Sequence, residues 1–277
     1  MEMDQKRQRE VNRNLALINC QYYLRGSSRY IFQHHLNDIG SRLEKHWFLI
    51  QDTTTKTERL LTMAPINANC LVNCNAATQW AFLEIFLAFQ HPYIYPILDI
   101  TFITLADRQY VVTVMPFNEK GSLKDLLYRS HCQDNWSEKY NTSGHGLDEL
   151  QVKQLGREIL EGIMFLEDQG FPPFDHLHSA NVIIQNGVAR ISGLEGTLLG
   201  VTPQIYPVIK KCLRYSWESI VPITFGHLLF EMTSGYTLST AHPSEKNYSD
   251  ISCCPQVIKV LKFIFEQEQY RYPSIQE

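Results

Sequence analysis

The sequence predicts an α+β protein in two lobes. Three observations carry this: strand-like stretches crowd the first third around one apolar helix, a short connector follows, and the remainder is helical apart from one hairpin. At 277 residues with 44% apolar and 19% charged positions the chain has enough apolar content for a large core, which excludes a stapled miniprotein and a disordered segment. Twenty-five Lys and Arg against 29 Asp and Glu leave a net charge of -4, so no basic footprint for nucleic acid is expected. The first ten residues, MEMDQKRQRE, hold no apolar core of a signal peptide, and the apolar run Ala81 to Phe89 is short and interrupted by Glu84. Seven cysteines, an odd number with no C-x-x-C pair, read as reduced thiols of a cytoplasmic protein rather than a disulfide or zinc framework.

Taken in order, residues 1–29 read as a polar, helix-compatible extension, residues 30–116 as the first lobe and 117–277 as the second. Strands are expected around Leu36 to Gly40, over His46 to Gln51 and over Arg59 to Ile66, the last two joined by the polar turn DTTTKT. Thr78 to Gln90 is a mostly apolar helix that must stop before His91-Pro92, because the residue preceding proline is pushed out of the α region. Strands Ile97 to Thr104 and Gln109 to Met115 follow, with a turn at Ala106-Asp107-Arg108. Residues 122–129 and 148–169 are helical by period, the second through Leu150, Leu155, Ile159, Ile163 and Leu166, ending at Gly170. Asn186-Gly187 between NVIIQ and VARIS is a strong hairpin signal. Thr224 to Thr233 and residues 256–268 are the remaining helices.

Several segments in this order match the protein kinase pattern over residues 30–277: HPYIYPILD after the first-lobe helix, VMPFNEKGSLKDLL as the hinge with Met115 at the gatekeeper position, and LGREILEGIMFLEDQGF as the helix before the catalytic loop. HLHSANVII resembles that loop with its Asn at 181, TFGHLLFEMTSG the F-G-x-x-L-x-E-M-x-x-G helix, and RYPSIQE the terminal R-P-S/T stretch. The chain thus resembles the protein kinase fold. Through CQYYLR, LNDIGSR, FNEKGSLKDLLY and the tract from HLHSANV to FGHLLFEM it is identified as a member of the PX-domain-containing kinase-like pseudokinase family, in its slowpoke-binding branch.

Phosphoryl transfer in that fold requires a lysine on the phosphates, an aspartate on magnesium and an aspartate as base. From Thr57 to Glu119 there is no lysine, although Arg59 stands at the start of the third strand. The position five before Asn181 holds His176, with Asp175 one residue off. Between His176 and Ser249 there is no aspartate, and Gly193-Leu194-Glu195 occupies the place of D-F-G. Arg42 and Lys45 replace the second and third glycines after Gly40, which hinders close backbone approach to phosphate. Phe82 stands where the lysine-pairing glutamate of the first-lobe helix belongs, Glu84 being two residues off, and Val221 replaces the aspartate that anchors the loop from beneath. His176 and His178 form an H-x-H pair without accompanying ligands.

A pseudokinase is the expected result: no catalytic residues, with His176, Asn181, Gly193 and Glu195 as degenerate positions, Gly40, Met115 and Asn181 as the remnant of a nucleotide site, no metal and no cofactor. Two alternatives stay open on the residues. One is an atypical, weakly active Ser/Thr kinase using Glu195, Asn181 and displaced basic groups; the other is a sensor that binds ATP weakly without transfer. The resemblance implies a scaffold that binds a calcium-activated potassium channel and a 14-3-3 adaptor, cytoplasmic and held near the plasma membrane through its partner. Surfaces offered for binding are the N-terminal extension, the polar insert Ser130 to Gly146 with Trp136 and Tyr140, and the tract Gly196 to Tyr215. Arg25-Gly26-Ser27-Ser28 and Arg214-Tyr215-Ser216 read as candidate phosphorylation sites.

Overall fold

The computed structural model describes residues 2–40, 42, 44–68, 70, 72–210, 217–266 and 272–277. The chain divides into two compact units, one of residues 1–90, 96–119 and 133–138, the other of residues 91–95, 120–132 and 139–277.

The first unit opens with α1 (Glu2–Arg25) and builds a sheet from β1 (Tyr30–His35), β2 (His46–Asp52) and β3 (Thr57–Pro65), then, after α2 (Ala76–Ala88), β4 (Asp99–Leu105) and β5 (Arg108–Pro116). The strand order is β1-β2-β3-β5-β4, every neighbouring pair antiparallel. Turn residues account for the tight connections. Lys56 takes a φ of 56° between β2 and β3, and Ala106 and Asp107 take 47° and 63° between β4 and β5, as a two-residue hairpin turn requires. Asn75 caps α2 by accepting from the Thr78 amide, and the helix ends at Ala88, three residues before His91-Pro92.

Because side chains alternate across a strand, the sheet has two distinct faces. One carries Phe48, Ile50, Leu61, Met63, Val112 and Val114, and α1 covers it with Ala16, Cys20 and Leu24. The other carries Trp47 and Leu49, which pack with Leu36, Ile39, Leu60 and Phe117. The N-terminal residues are therefore core-forming on one side. Arg13 fastens the helix by donating to the carbonyls of His35 and Leu36 at 3.2 and 2.7 Å. The expected strand at Leu36 to Gly40 is a correction: the strand lies at Tyr30–His35, and residues 36–40 form a loop. Asn37, Asp38 and Gly40 favour turns over a ladder, and an irregularity between Phe32 and His34 hides the alternation of the true strand.

The second unit contains α3 (Leu123–Tyr128), the end of α4 (Trp136–Lys139), α5 (Glu149–Asp168), the hairpin β6 (Val182–Gln185) and β7 (Val188–Ile191), α6 (Leu194–Leu198), α7 (Tyr206–Ile209), α8 (Ile220–Ser234), α9 (Glu245–Asp250) and α10 (Pro255–Phe265). Capping boxes start α3 at Ser122 and Asp125, and α5 at Asp148 and Gln151. Gly170 follows α5 with a φ of 72°, and Asn186 and Gly187 turn the hairpin with φ of 54° and 80°. Helix α8 begins four residues before the expected Thr224, since Pro222 falls in the first turn, where its missing amide hydrogen costs nothing. It is buried from Ile220 to Thr233. The expected end of the last helix, at residue 268, and the serine motif Arg214-Tyr215-Ser216 lie outside the described residues.

Within the insert Ser130 to Gly146, residues 139–146 are anchored in the second unit. Lys139, with its side chain 1% exposed, reaches Asp125 on α3 at 2.8 Å, and the Tyr140 hydroxyl donates to the same carboxylate at 2.8 Å. The His145 amide donates to Leu127 O. Any Cβ at Gly144 or Gly146 would strike the carbonyls of Gly235 and Thr233.

Candidate functional site

In the second unit the counterpart of the catalytic loop runs from Phe171, after α5, to the 3-10 turn Ser179–Asn181. It faces inward: Phe174, His176, Leu177 and Ser179 are each 2% exposed or less. His176, at the position of the base, is 1% exposed and its Nε2 donates to Val201 O at 3.0 Å. The proton on that nitrogen is therefore committed to a carbonyl. Asp175 is also buried; Thr197 Oγ1 donates to its Oδ1 at 2.5 Å. A buried carboxylate bonded to a threonine hydroxyl is a structural group, not one positioned to accept a substrate proton.

Asn181 turns back on its own loop, its Nδ2 donating to His176 O at 2.9 Å. Gly193 meets it. With a φ of 83°, Gly193 leaves so little room that a Cβ would stand 2.7 Å from Asn181 Nδ2. Gly196 fits as tightly against His176, where a Cβ would lie 2.8 Å from Cδ2. Glu195, in α6, is 5% exposed. The structure thus brings His176, Asn181 and Gly193 together as a packed junction. Val221 is buried on α8, 3% exposed. Among the described residues no group of three or more His, Cys, Asp or Glu is arranged to hold a metal ion.

The first unit carries the other predicted positions. On β3 the strand alternation puts Leu60, Thr62 and Ala64 on the face not covered by α1, and none is cationic. Arg59 alternates with them and falls on the same side as Leu61 and Met63, away from where the phosphate-holding lysine of a kinase would point. Thr62 and Thr113 instead share a hydrogen bond at 2.6 Å between buried hydroxyls. Met115 pairs with Leu60 across β3 and β5 and is 6% exposed.

Gly40 has a packing role. A Cβ there would stand 2.5 Å from Trp47 Cζ2, so the glycine is what lets the indole lie against the backbone. Trp47 is seven residues after Gly40, where the kinase pattern G-x-G-x-x-G-x-V has valine. A small β-branched residue has become a large aromatic one, closed in by Leu36 and Leu49. On α2, Phe82 is buried and Glu84 exposed, so neither offers a carboxylate to the sheet.

Sequence reasoning missed three features. Trp47 was legible, through its spacing from Gly40. The Thr62–Thr113 bond depends on register across strands and had no local signal. Lys139 was hidden inside a polar insert, although a lysine flanked by Trp136 and Tyr140 is what a buried, ring-packed cation looks like; its Nζ lies 5.1 Å from the Tyr140 ring centre.

No protein-family model matches the chain. It is similar to the slowpoke-binding protein of Drosophila melanogaster, 39% identical over 280 residues, covering 96% of this chain and 54% of that protein. The PX domain-containing protein kinase-like protein of Mus musculus is 35% identical over 226 residues, 80% of this chain and 38% of its own length. The protein named probable inactive serine/threonine-protein kinase slob2 of Dictyostelium discoideum is 33% identical over 259 residues, 91% of this chain and 43% of its own. The chain therefore spans about half or less of the length of these relatives. Among solved structures, the PAN3 pseudokinase mutant of Neurospora crassa aligns with a TM-score of 0.61 at 11% identity, over 90% of this chain and 61% of that one. That likeness establishes the kinase-like α+β fold.

Proposed function

The chain belongs, over the residues it spans, to the family of slowpoke-binding and PX-domain-containing kinase-like proteins, pseudokinases of the protein kinase fold, and on that premise we propose that it works by binding alone. It acts as a scaffold that docks on the cytoplasmic part of a membrane protein and needs no nucleotide to do so. The observation that carries this reading is on the sheet: the positions that would face a nucleotide hold an apolar cluster around Trp47 and a self-satisfied threonine pair. Among the described residues of β3, none on this face offers phosphate an ammonium group, and losing charge-stabilising groups of this kind removes on the order of 10² to 10³ in rate apiece.

The name of the Drosophila relative supports a potassium channel of the slowpoke class as partner. The 14-3-3 adaptor finds no support in the relatives' names. The scaffold works in the cytoplasm beside its channel. A surface-immobilised cytoplasmic region of a calcium-activated potassium channel, exposed to the chain with and without magnesium-ATP, tests the reading. Expected is saturable binding, equal in both conditions. Binding that appears only with ATP would convert the protein into a nucleotide sensor, and no binding at about 100 μM, a Kd weaker than about −5.5 kcal/mol of affinity, would remove the scaffold role.

A further inference from the structure

We propose that the first unit binds a small uncharged ring bearing an amide, in a cleft between α1 and the sheet face that this helix covers. The cleft opens where the helix loses bulk. At successive turns along its buried side stand Asn12, Ala16, Cys20 and Leu24; Cys20 and Leu24 close on the sheet, whereas Ala16 reaches it with a single methyl group. Asn12, Leu15 and Asn19 share this side of the helix by their spacing and complete one wall. The other wall is one end of three strands: His46 from β2, Met63 and Pro65 from β3, and Tyr110 from β5. Register brings them together, with His46 paired to Met63 and Pro65 to Tyr110. Strand alternation puts all four on the face of Phe48, Leu61 and Val112.

His46 is the residue that points to a ligand. It is 8% exposed, and its Nδ1 is buried with no hydrogen-bond partner among the described residues. Leaving a buried nitrogen in that state is costly, and a bound group that pairs with it removes the cost. Burial first, with Arg13 beside it, lowers the pKa of this histidine against the opposing charges of Asp38 and Glu44, so the ring is neutral and either donates or accepts. Asn19 brings an amide that does both, and Asn12, whose Oδ1 accepts from Gln8 Nε2 at 3.0 Å, has its amide hydrogens to give. The charges that line the cleft are engaged with each other, Arg108 Nη2 lying 2.8 Å from Glu44 Oε1. An anion would meet Glu44 and a cation Arg108, so neither is favoured. What fits is a neutral donor and acceptor on a flat apolar body, with Leu15 on one wall and Met63 and Pro65 on the other. Size agrees. The cleft has a volume of about 80 Å³, against about 10–15 Å³ for one water, which makes room for about six waters or one small ring.

Nicotinamide serves as the probe, with nicotinate and picolylamine as anionic and cationic counterparts of similar size. On the full chain carrying isotope-labelled histidine, nicotinamide should move the His46 ring resonances saturably with a Kd of about 1–10 mM, as expected of a ligand of about nine non-hydrogen atoms at modest efficiency. Each charged counterpart should bind at least about tenfold more weakly. Asn19→Leu, at a half-buried position of α1, removes an amide and fills the cleft; it should weaken nicotinamide at least about fivefold with circular dichroism and the melting midpoint unchanged. If that variant disturbs folding, Asn12→Ala at the exposed rim should weaken binding at least about twofold. No saturable shift up to about 50 mM nicotinamide, an equal response to nicotinate, or affinity that survives both substitutions would each overturn the proposal.

Discussion

Gly193 shows most directly why chemistry is not one substitution away. Restoring an aspartate there would place a Cβ 2.7 Å from Asn181 Nδ2 on a backbone with a φ of 83°. Left-handed conformations strain residues with a Cβ by about 1–2 kcal/mol, and the contact adds to that. Gly193→Asp should lower the melting temperature and show no further shift on adding magnesium-ATP; a magnesium-dependent rise would mean that the junction relaxes into a working site. Asp125 is the opposite case, a charge the fold depends on. Burial alone would raise its carboxyl, but the charge and hydrogen bond of Lys139, with hydrogen bonds from Ser122, hold it below the usual range. Removing one partner of such a buried pair costs about 3–5 kcal/mol, whereas replacing both can be nearly neutral. Urea denaturation should therefore find Lys139→Met strongly destabilised and Asp125→Asn plus Lys139→Met partly recovered. Equal losses in the single and double variants would show that the ion pair is not what binds the insert to α3.

At the scale of elements, much of the architecture could be read from spacing. The Asn186-Gly187 hairpin, the period of α5 and the proline after α2 are local signals, and the chain obeys them. What escaped was decided at a distance. The first strand was displaced because turn-forming Asn37 and Asp38 sit in a segment of apolar outline, while the true strand at Tyr30–His35 carries an irregularity. The anchoring of the insert had no local signal, because polarity is a poor guide when a lysine has a carboxylate waiting on another helix. The site behaved likewise. Missing charges were evident in the residues themselves, since absence of lysine and aspartate needs no register. Their replacement by Trp47 packing and by a hydroxyl pair between Thr62 and Thr113 depends on which side of a strand each residue faces.

Across the whole molecule, acid should be the condition that loosens it. His35 in the first unit is pushed down to about 3, by burial first and then by the neighbouring charges of Arg13 and His46. His227 in the second is pushed down to about 4, by burial against the opposing effect of a hydrogen bond with Ala241. Both are neutral when folded, yet in the unfolded chain each titrates near 6.5. Above about pH 6.5 their contribution is complete; as pH falls toward 4 the unfolded chain takes up protons that the folded one refuses, and stability is lost. Melting midpoints should decline over that interval, and His35→Phe, which keeps a ring stacked on Phe48 in place of one now 4.4 Å away, should flatten the decline for the first unit. An unchanged slope would place the acid sensitivity elsewhere.

The indole held against Gly40 also gives the first unit an optical signature. Trp47 is 7% exposed, whereas Trp80 and Trp217 are 63% and 45% exposed and Trp136 is half-buried. The short-wavelength edge of the intrinsic fluorescence spectrum therefore belongs chiefly to Trp47. Its emission reports the opening of the sheet separately from events in the helical remainder, without any attached dye.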